Sequence, residues 1–365
     1  MKAHLYILIK VVCSIMKKTL FILGIFLLLL STACSNKEEA AKQQEEHEPK
    51  QTDPVAKEEP SQDFDHVFPL TGIGTNEDVN NRPFAVMVNN HPQARPQSGL
   101  HMADIVYEVL AEGDVTRFLA VFQSEEPEII GPVRSARDYY IELSKGFDAL
   151  YVAHGWSPEA QQILNSGKID NINGMVYDGT LFWRADHNVA PHNSYISFEN
   201  IEKGADKQGY SMKEEVPSFA FLSEDEVDGI EGTLAEHVRV SYSSRDTFAA
   251  VYDYNQDKGK YERYSGGDQT VDRETNTPVL LDNVLIVEMN HRFIDDYGRR
   301  EIDVTSGGKG YLLQKGKAQE IEWRNVDGRI VPFVNGEEVG FVPGKTWINI
   351  IPTSPGIVGA VSFGN

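Results

Sequence analysis

The residues of this chain that are best suited to chemistry lie in and beside a few loops between residues 89 and 193. They are Asn90, Arg95, Glu108, Arg134, Arg137, His154, His192 and Asn193. Arginine and asparagine can hold an anion by hydrogen bonds, and a histidine with a carboxylate can move a proton. Loops at strand ends commonly carry binding and catalytic residues, so we expect the functional surface of the protein here.

Arg134 and Arg137 are the first candidates for binding an anion. They flank Ser135, which we predict to lie near the N-cap of a helix that ends at about Lys145. A guanidinium beside a helix N-terminus suits a carboxylate or a phosphate group. The alternative is a set of structural ion pairs with nearby acids, namely Glu108, Glu112 and Asp138. Further donors that we predict to contact the ligand are Asn90, Arg95 and Asn193.

The histidines allow two other kinds of site. His154 or His192 could act as a general base with Glu108 as its partner, which would make the protein an enzyme. A metal site would draw on His154, His187, His192 and Glu108. His187 and His192 are five residues apart with Pro191 between them, which is not a tight ligand spacing. We therefore predict no metal site and no cofactor.

Short stretches that imitate catalytic motifs are incomplete. The segment 340–346 is one residue short of a nucleotide-binding P-loop, and the segment 306–309 matches S-x-x-K but contains two glycines. We interpret both segments as turns. The chain also contains no G-x-S-x-G motif. The sequence therefore gives no complete catalytic motif.

Cys34 has chemistry of its own. It follows two lysines, an apolar run over residues 20–30 and the small residue Ala33. This order is typical of a secretory signal, and a cysteine directly after the cleavage position indicates a lipoprotein. We predict that residues 1–33 are removed as a signal peptide. The Cys34 thiol then receives a diacylglycerol, and the new N-terminus is acylated by a fatty acid such as palmitate.

The true translation start is predicted to be Met16, because the signal begins cleanly at that residue. Cys13 is then never made, and Cys34 is the only cysteine of the mature protein. A single lipidated cysteine leaves no disulfide, no thiolate metal site and no cysteine nucleophile. The expected partner is the lipid bilayer, reached through acylated Cys34, with the body on the extracytoplasmic face of the cell membrane.

The chain is acidic, with a formal net charge of −21 over 365 residues. The first 35 residues carry +4 and residues 36–65 carry −6, so that residues 66–365 carry −19. A surface of this charge repels nucleic acid, which we exclude as a default partner. Residues 34–65 contain the lipidated cysteine and a stretch rich in Glu, Gln, Lys and Pro. We predict that this stretch is a disordered acidic tether.

The elements that must position the loop residues begin at about residue 66. Residues 104–110 and 117–123 alternate around a short turn and predict a hairpin. Helices are predicted at 135–145, 157–165 and 197–208, and Ser223 with Glu226 has the spacing of a capping box. These elements indicate a mixed α/β domain over residues 66–240.

The sequence changes after residue 240 to short alternating runs separated by Gly, Asp and Asn. This pattern is typical of hairpins, and we predict a β-rich domain over residues 241–365. The expected fold class is therefore α+β, with a mixed α/β N-terminal domain followed by a β-rich C-terminal domain.

Several stretches of the chain are specific enough to compare with a known family. They are NNRPFAVMVNN, ARPQSGLHMADIVYEVLAEGDVTRFLAVF, IGPVRSARDYY, the ADHN and PHNSY loop, and SGGKGYLLQKGK with the later PGKTWINIIP. Through them the sequence from residue 66 to the end resembles the YerB-like lipoproteins of Gram-positive, spore-forming bacteria. The resemblance implies an N-terminal and a C-terminal domain and a location in the cell envelope. It implies no catalytic residues, because the function of that family is uncharacterised.

Two functions follow from these observations. The favoured one is a binding or assembly module in the cell envelope that catalyses nothing, with envelope proteins or wall fragments as partners. The alternative is a hydrolase or transferase that acts on cell-wall or anionic-polymer substrates through His154 or His192, Glu108 and the arginines. Convergence of these side chains in one cleft would favour the enzyme.

Overall fold

The computed structural model describes residues 64–364 of the chain. The predicted signal peptide 1–33, the lipidation of Cys34 and nearly all of the predicted tether 34–65 lie outside these residues and stay predictions. Within residues 64–364, none of the helices has the length and apolar character that a membrane crossing requires.

Helices are few and short. Six α-helices occur between residues 64 and 364: α1 Asp138–Lys145, α2 Pro158–Asn165, α3 Gly174–Tyr177, α4 Phe198–Gln208, α5 Glu224–Asp228 and α6 Gly356–Ala360. Single 3-10 turns occur at Pro92–Ala94, Leu100–Met102 and Asp246–Phe248.

Strands form most of the regular structure. Those up to residue 240 are β1 His66–Val67, β2 Gly74–Thr75, β3 Phe84–Asn89, β4 Ile105–Leu110, β5 Thr116–Phe122, β6 Leu150–Ala153, β7 Asn171–Asn173, β8 Trp183–Arg184, β9 Ser194–Tyr195, β10 Thr233–Leu234 and β11 His237–Val240. Those after it are β12 Ala250–Asn255, β13 Lys260–Ser265, β14 Asp268–Gln269, β15 Leu280–Leu281, β16 Asn283–Met289, β17 His291–Phe293, β18 Arg300–Ile302, β19 Gly308–Gln314, β20 Lys317–Val326, β21 Arg329–Val334, β22 Glu337–Glu338, β23 Thr346–Pro352 and β24 Val361–Gly364. This distribution confirms the α+β fold class with a β-rich C-terminal region.

A central mixed sheet contains strands from both predicted segments. Its order is β22-β21-β20-β19-β16-β23-β4-β5-β3-β6-β7, and β10 pairs with β20. β23 lies parallel to β16 on one side and to β4 on the other. The segments 66–240 and 241–365 are therefore joined by backbone hydrogen bonds, and the boundary at residue 240 stays a prediction.

Both faces of the central sheet are covered, which explains why β3, β4 and β5 are buried along their whole length. One face, which includes Val86 and Phe118, packs against a second sheet of order β14-β13-β12-β11-β24. The opposite face, which includes Met87 and Tyr107, packs against α1 and α2. Alternate residues of one strand therefore point to different layers.

Predictions that depend on local sequence are confirmed. β4 and β5 form the predicted hairpin, with Glu108 opposite Phe118. The helices predicted at 157–165 and 197–208 are formed as α2 and α4, and the hydroxyls of Ser157 and Ser197 accept hydrogen bonds from backbone N–H groups in their first turns. The capping box of Ser223 with Glu226 is also formed at the start of α5. These signals succeed because the interacting groups are only three residues apart.

The predicted helix start at Ser135 is wrong. α1 begins at Asp138, with Arg137 at its N-cap. Residues 134–136 are instead extended beside the end of β6, where the backbone N–H of His154 donates to the Arg134 carbonyl at 2.9 Å. The Ser135 hydroxyl donates to the His154 carbonyl at 3.1 Å, so it does not cap the helix.

Candidate functional site

Four of the chemically active side chains lie around the carboxyl ends of neighbouring parallel strands. β3, β6 and β7 run parallel in this part of the sheet. The segment before α1 joins them, because the Arg134 backbone N–H donates to the Met87 carbonyl at 2.8 Å. We call His91, Arg134, His154 and His192 the strand-end cluster. In open α/β sheets, the carboxyl ends of parallel strands are a common place for ligands.

His91 and His192 form a stacked pair with ring centroids 4.6 Å apart. The Asn89 amide nitrogen donates to His192 Nδ1 at 2.8 Å, and the Asn89 oxygen accepts from the His91 backbone N–H at 2.9 Å. The Gln93 backbone N–H donates to His91 Nδ1 at 3.2 Å. Both Nδ1 atoms are therefore acceptors, and each neutral ring carries its proton on Nε2.

His154 has the opposite tautomer. Arg184 Nη2 donates to its Nε2 at 3.0 Å, and a guanidinium can only donate. The ring proton is therefore on Nδ1, which donates to Ser194 Oγ at 2.7 Å. Arg184 is held by Asp178 at 2.8 Å and also donates to the Asn193 side-chain oxygen at 3.3 Å. Asn193 thus contacts the arginine that orients His154.

Arg134 is the cation of the cluster that lacks a counter-ion. Its Nη1 donates to the Pro191 carbonyl at 3.3 Å, and its Nε is buried without a hydrogen-bond partner. No acid among residues 64–364 forms a salt bridge with it. Burial and the charge of Arg117 lower the pKa of Arg134 to about 10. A largely buried guanidinium normally pairs with an acid or with a bound anion.

The surroundings favour the neutral form of the three histidines. Burial is the main cause that lowers the pKa of His91, of His154 and of His192, and the charge of Arg134 contributes to each of the three shifts. At neutral pH, the cluster presents a guanidinium together with the Nε2–H groups of His91 and His192.

Arg137 has a different environment, although it is only three residues from Arg134. Its Nη2 pairs with Glu112 Oε1, and Arg117 Nη2 pairs with Glu112 Oε2 at 2.6 Å. The carboxylate of Glu112 thus holds two guanidinium groups. Arg137 has the structural ion pair of the alternative prediction, whereas Arg134 has none.

Glu108 lies in the core, with none of its side chain exposed. Its Oε1 accepts from Asn90 at 3.2 Å and from Thr116 at 2.9 Å. Its Oε2 accepts from Arg263 at 2.7 Å and from the Trp347 indole at 3.1 Å. We call these five residues the Glu108 network. Four donors occupy both oxygens, and no histidine is among them.

Asn90 and Arg95 line a cavity of about 300 Å³ beside the Glu108 network. Arg95 Nε donates to the Asn90 side-chain oxygen at 3.0 Å, and Arg95 Nη1 donates to the Thr247 carbonyl at 3.0 Å. Arg263 and Asp268 line the same cavity, which lies between the loop after β3 and the strands β13 and β14. We call it the seam cavity.

The hydrogen bonds of the histidines favour anion binding over catalysis or metal binding. The lone pair of His154 Nε2 is taken by Arg184, and that of His192 Nδ1 is taken by Asn89. In this arrangement neither ring has a free lone pair to accept a proton or to bind a metal. Within residues 64–364, no group of three His, Cys, Asp or Glu residues could hold a metal ion.

The structure brings together only part of the predicted site. Arg134, His154 and His192 meet at the strand ends, whereas Glu108 belongs to the buried network. Asn90 and Arg95 border the seam cavity, and Asn193 contacts Arg184. His91 was not predicted as a site residue, although its position just after a buried strand was a signal for it. Arg263 and Trp347 had no such signal, since both are far from Glu108 in the sequence.

Comparison with known proteins gives the family. Residues 70–211 match "Protein of unknown function (DUF3048) N-terminal domain", and residues 238–348 match the C-terminal domain of the same family. The chain is 52% identical over 286 residues to "Putative lipoprotein YerB" of Bacillus subtilis (strain 168), which covers 78% of this chain and 86% of that protein.

A solved structure is also similar. The crystal structure of the YerB protein from Bacillus subtilis matches with a TM-score of 0.76 and 49% identity, covering 82% of this chain and 100% of that one. The resemblance to the YerB-like lipoproteins is thereby confirmed. The chain belongs to the DUF3048 family, and it carries both domains of that family in the same order.

Proposed function

We propose that this protein is a lipid-anchored binding module on the extracytoplasmic face of the cell membrane, and that its strand-end cluster binds an anionic group. The similarity to a protein named as a lipoprotein supports the anchor, as do the signal features before Cys34. The observation that carries the binding role is Arg134, a largely buried guanidinium without an acid partner among residues 64–364.

The donors around Arg134 favour a compact anion such as a phosphate or carboxylate group. His91 and His192 each carry a proton on Nε2, and no residue among 64–364 accepts a hydrogen bond from either Nε2. Charge-assisted hydrogen bonds from a guanidinium and neutral N–H donors are the usual means of holding such groups. The ligand is then an envelope molecule, such as a wall fragment, that presents one anionic group.

The acidic body sets a limit on the size of the ligand. Residues 66–365 carry a net charge of −19, which repels a long polyanion before it reaches the cluster. A fragment with one anionic group avoids most of that repulsion. Binding should therefore be stronger for small anions than for polymers of the same chemistry, and the difference should shrink as salt is added.

Calorimetric titration of the purified lipidated protein with inorganic phosphate tests the binding role. Arg134→Gln removes the unpaired charge, so we expect phosphate affinity to fall about tenfold or more, since a hydrogen bond to a charged group contributes about 1.5–3 kcal/mol. The matched control is Arg292→Gln, which changes an exposed arginine paired with Glu301 and should leave affinity unchanged. Equal affinity in Arg134→Gln and the wild type would contradict the proposal.

Fractionation of cells tests the anchor. Cys34→Ala removes the predicted lipidation site, so we expect the protein to leave the membrane fraction. Thr52→Ala is the control, because it changes a small polar residue of the predicted tether beyond the lipidation site and should leave fractionation as it is. Membrane retention of the Cys34→Ala protein would exclude the anchor at this residue.

A further inference from the structure

We propose that the seam cavity binds a free amino acid, whose carboxylate contacts Arg95 and whose ammonium group faces Asp268. This site is separate from the strand-end cluster and goes beyond the proposed function. Arg95 belongs to the N-terminal family domain and Asp268 to the C-terminal one. Ligand sites are common where two domains meet.

Arg95 provides an anchor for a carboxylate. It forms no salt bridge with an acid of residues 64–364, and burial followed by the charge of Arg263 lowers its pKa to about 10. Its three hydrogen bonds go to the Asn90 side chain, the Asn90 carbonyl and the Thr247 carbonyl. A guanidinium has five N–H donors, so some remain for a ligand.

The neighbouring buried charges do not neutralise Arg95. Arg263 lies beside it but is itself paired with Glu108 at 2.7 Å. The Glu108 oxygens are filled by the donors of the Glu108 network. Arg95 is partly buried and is left without an acid partner among residues 64–364, which a ligand carboxylate would supply.

Asp268 is a residue of the cavity wall that suits a cation. Asp268 is exposed and lines the cavity, and among residues 64–364 it forms no salt bridge. The negative charge of Asp268 acts to raise the pKa of Arg95, although the two side chains form no salt bridge. Gln97 is only 2% exposed and also lines the cavity, while its amide nitrogen donates to the Asn89 carbonyl and to the Asn90 side chain. Its amide oxygen accepts from no residue of 64–364 and can accept from an ammonium group.

The size of the cavity favours a small ligand, and its wall contains both polar and apolar groups. A volume of about 300 Å³ is at the lower end of the range for ligand pockets. Thr270 and Gln269 add polar groups to the wall, and Val271 with two prolines adds apolar surface. An amino acid with a short side chain fits this combination of size, polarity and opposite charges.

Saturation-transfer NMR and calorimetry on the purified full protein with glycine and L-alanine test this inference. Acetate and methylammonium are matched probes, because each carries only one of the two charges of glycine. We expect both amino acids to bind, and each half-ligand to bind at least about tenfold more weakly, as expected from loss of one charge-assisted contact.

Two variants separate the contacts. Asp268→Asn changes an exposed residue, so the fold is retained, and glycine affinity should fall to that of acetate. Arg95→Gln should abolish binding of both glycine and acetate, while Arg95→Lys should restore part of it. Absence of amino-acid binding, or equal affinity in the wild type and in Asp268→Asn, would overturn the inference. Phosphate binding depends on Arg134, so this proposal and the proposed function fail independently.

Discussion

The Glu108 network and the strand-end cluster start from adjacent residues and differ in one respect. The Asn90 side chain donates to Glu108, whereas the Asn89 side chain donates to His192. In the network Glu108 and Arg263 neutralise each other, and four donors fill the two Glu108 oxygens. In the cluster, Arg134 has no acid partner among residues 64–364. A charged side chain can bind a ligand of opposite charge when the fold places no counter-ion beside it.

The Glu108 network is buried, and its two opposite charges stabilise each other. Arg263 is 1% exposed, and its guanidinium lies 4.6 Å from the Trp347 ring centroid and 5.2 Å from that of Phe118. Burial alone would lower the pKa of Arg263, but the charge of Glu108 raises it above the usual value. The network also joins the two family domains, since Glu108 belongs to one and Arg263 to the other.

The largest effect should follow from opening the network. Glu108→Gln leaves Arg263 buried without a counter-charge, so we expect the free energy of unfolding in urea to fall by ~3–5 kcal/mol. Glu142→Gln is the control, because it breaks an exposed pair with Lys145 and should change stability by less than about 0.5 kcal/mol. A loss below about 1 kcal/mol for Glu108→Gln would refute a structural role for the network.

A smaller loss should follow at the edge of the network. The Tyr252 hydroxyl is buried and donates to the Asn349 side-chain oxygen at 2.8 Å. Tyr252→Phe should therefore cost about 1 kcal/mol of unfolding free energy, the usual net contribution of one hydrogen bond. Tyr254→Phe on the same strand is the control, because its hydroxyl has no partner among residues 64–364. Equal stability of the two variants would show that this edge contributes little.

A substitution in the strand-end cluster should change phosphate binding and leave stability nearly unchanged. Arg134→Met removes an unpaired charge but keeps much of the apolar contact, so in phosphate-free buffer we expect stability to stay within about 0.5 kcal/mol of the wild type. Phosphate binding should be lost in the same protein. Thermal unfolding with and without phosphate measures both quantities. A large loss of stability in phosphate-free buffer would place Arg134 with the structural residues.

The smallest effect should be a change in how the free energy of unfolding depends on pH. The folded pKa of His192 is lowered below 6.5, chiefly by burial, so the unfolded state binds more protons and stability decreases as pH falls through about 6.5. His192→Gln should reduce this decrease, measured as unfolding free energy between about pH 7.5 and 5.5. Asp104, whose pKa burial raises to about 6, titrates in both proteins and cancels in the difference. Identical pH profiles would contradict the assignment.

Local features of the fold were predictable from the sequence. The β4–β5 hairpin and the serine caps of α2, α4 and α5 depend on groups a few residues apart, and all of them are formed. The start of α1 was not predictable. The residues before α1 are held in an extended conformation by hydrogen bonds to the end of β6. The sequence around Ser135 gives no signal for this contact.

The sequence indicated the part of the chain that contains the candidate site, but not which of its side chains contact one another. The loop residues indicated the part of the chain in which the structure places the strand-end cluster, because loops at strand ends commonly carry binding residues. Glu108 alternates with apolar neighbours in β4 in the same way whether it faces a histidine or an arginine. Only the position of β13 from the C-terminal segment makes Arg263 its partner.

The sequence by itself determined the family, the α+β class, the β4–β5 hairpin, the capping box at Ser223 and the acidic charge of the chain, since each depends on composition or on nearby residues. The tertiary structure alone decided which charges are neutralised. Glu108 meets Arg263 across 155 positions, and Arg134 meets no acid within residues 64–364. Pairing over such distances is set by how the sheets stack, which is why the available cation could be identified only in the folded protein.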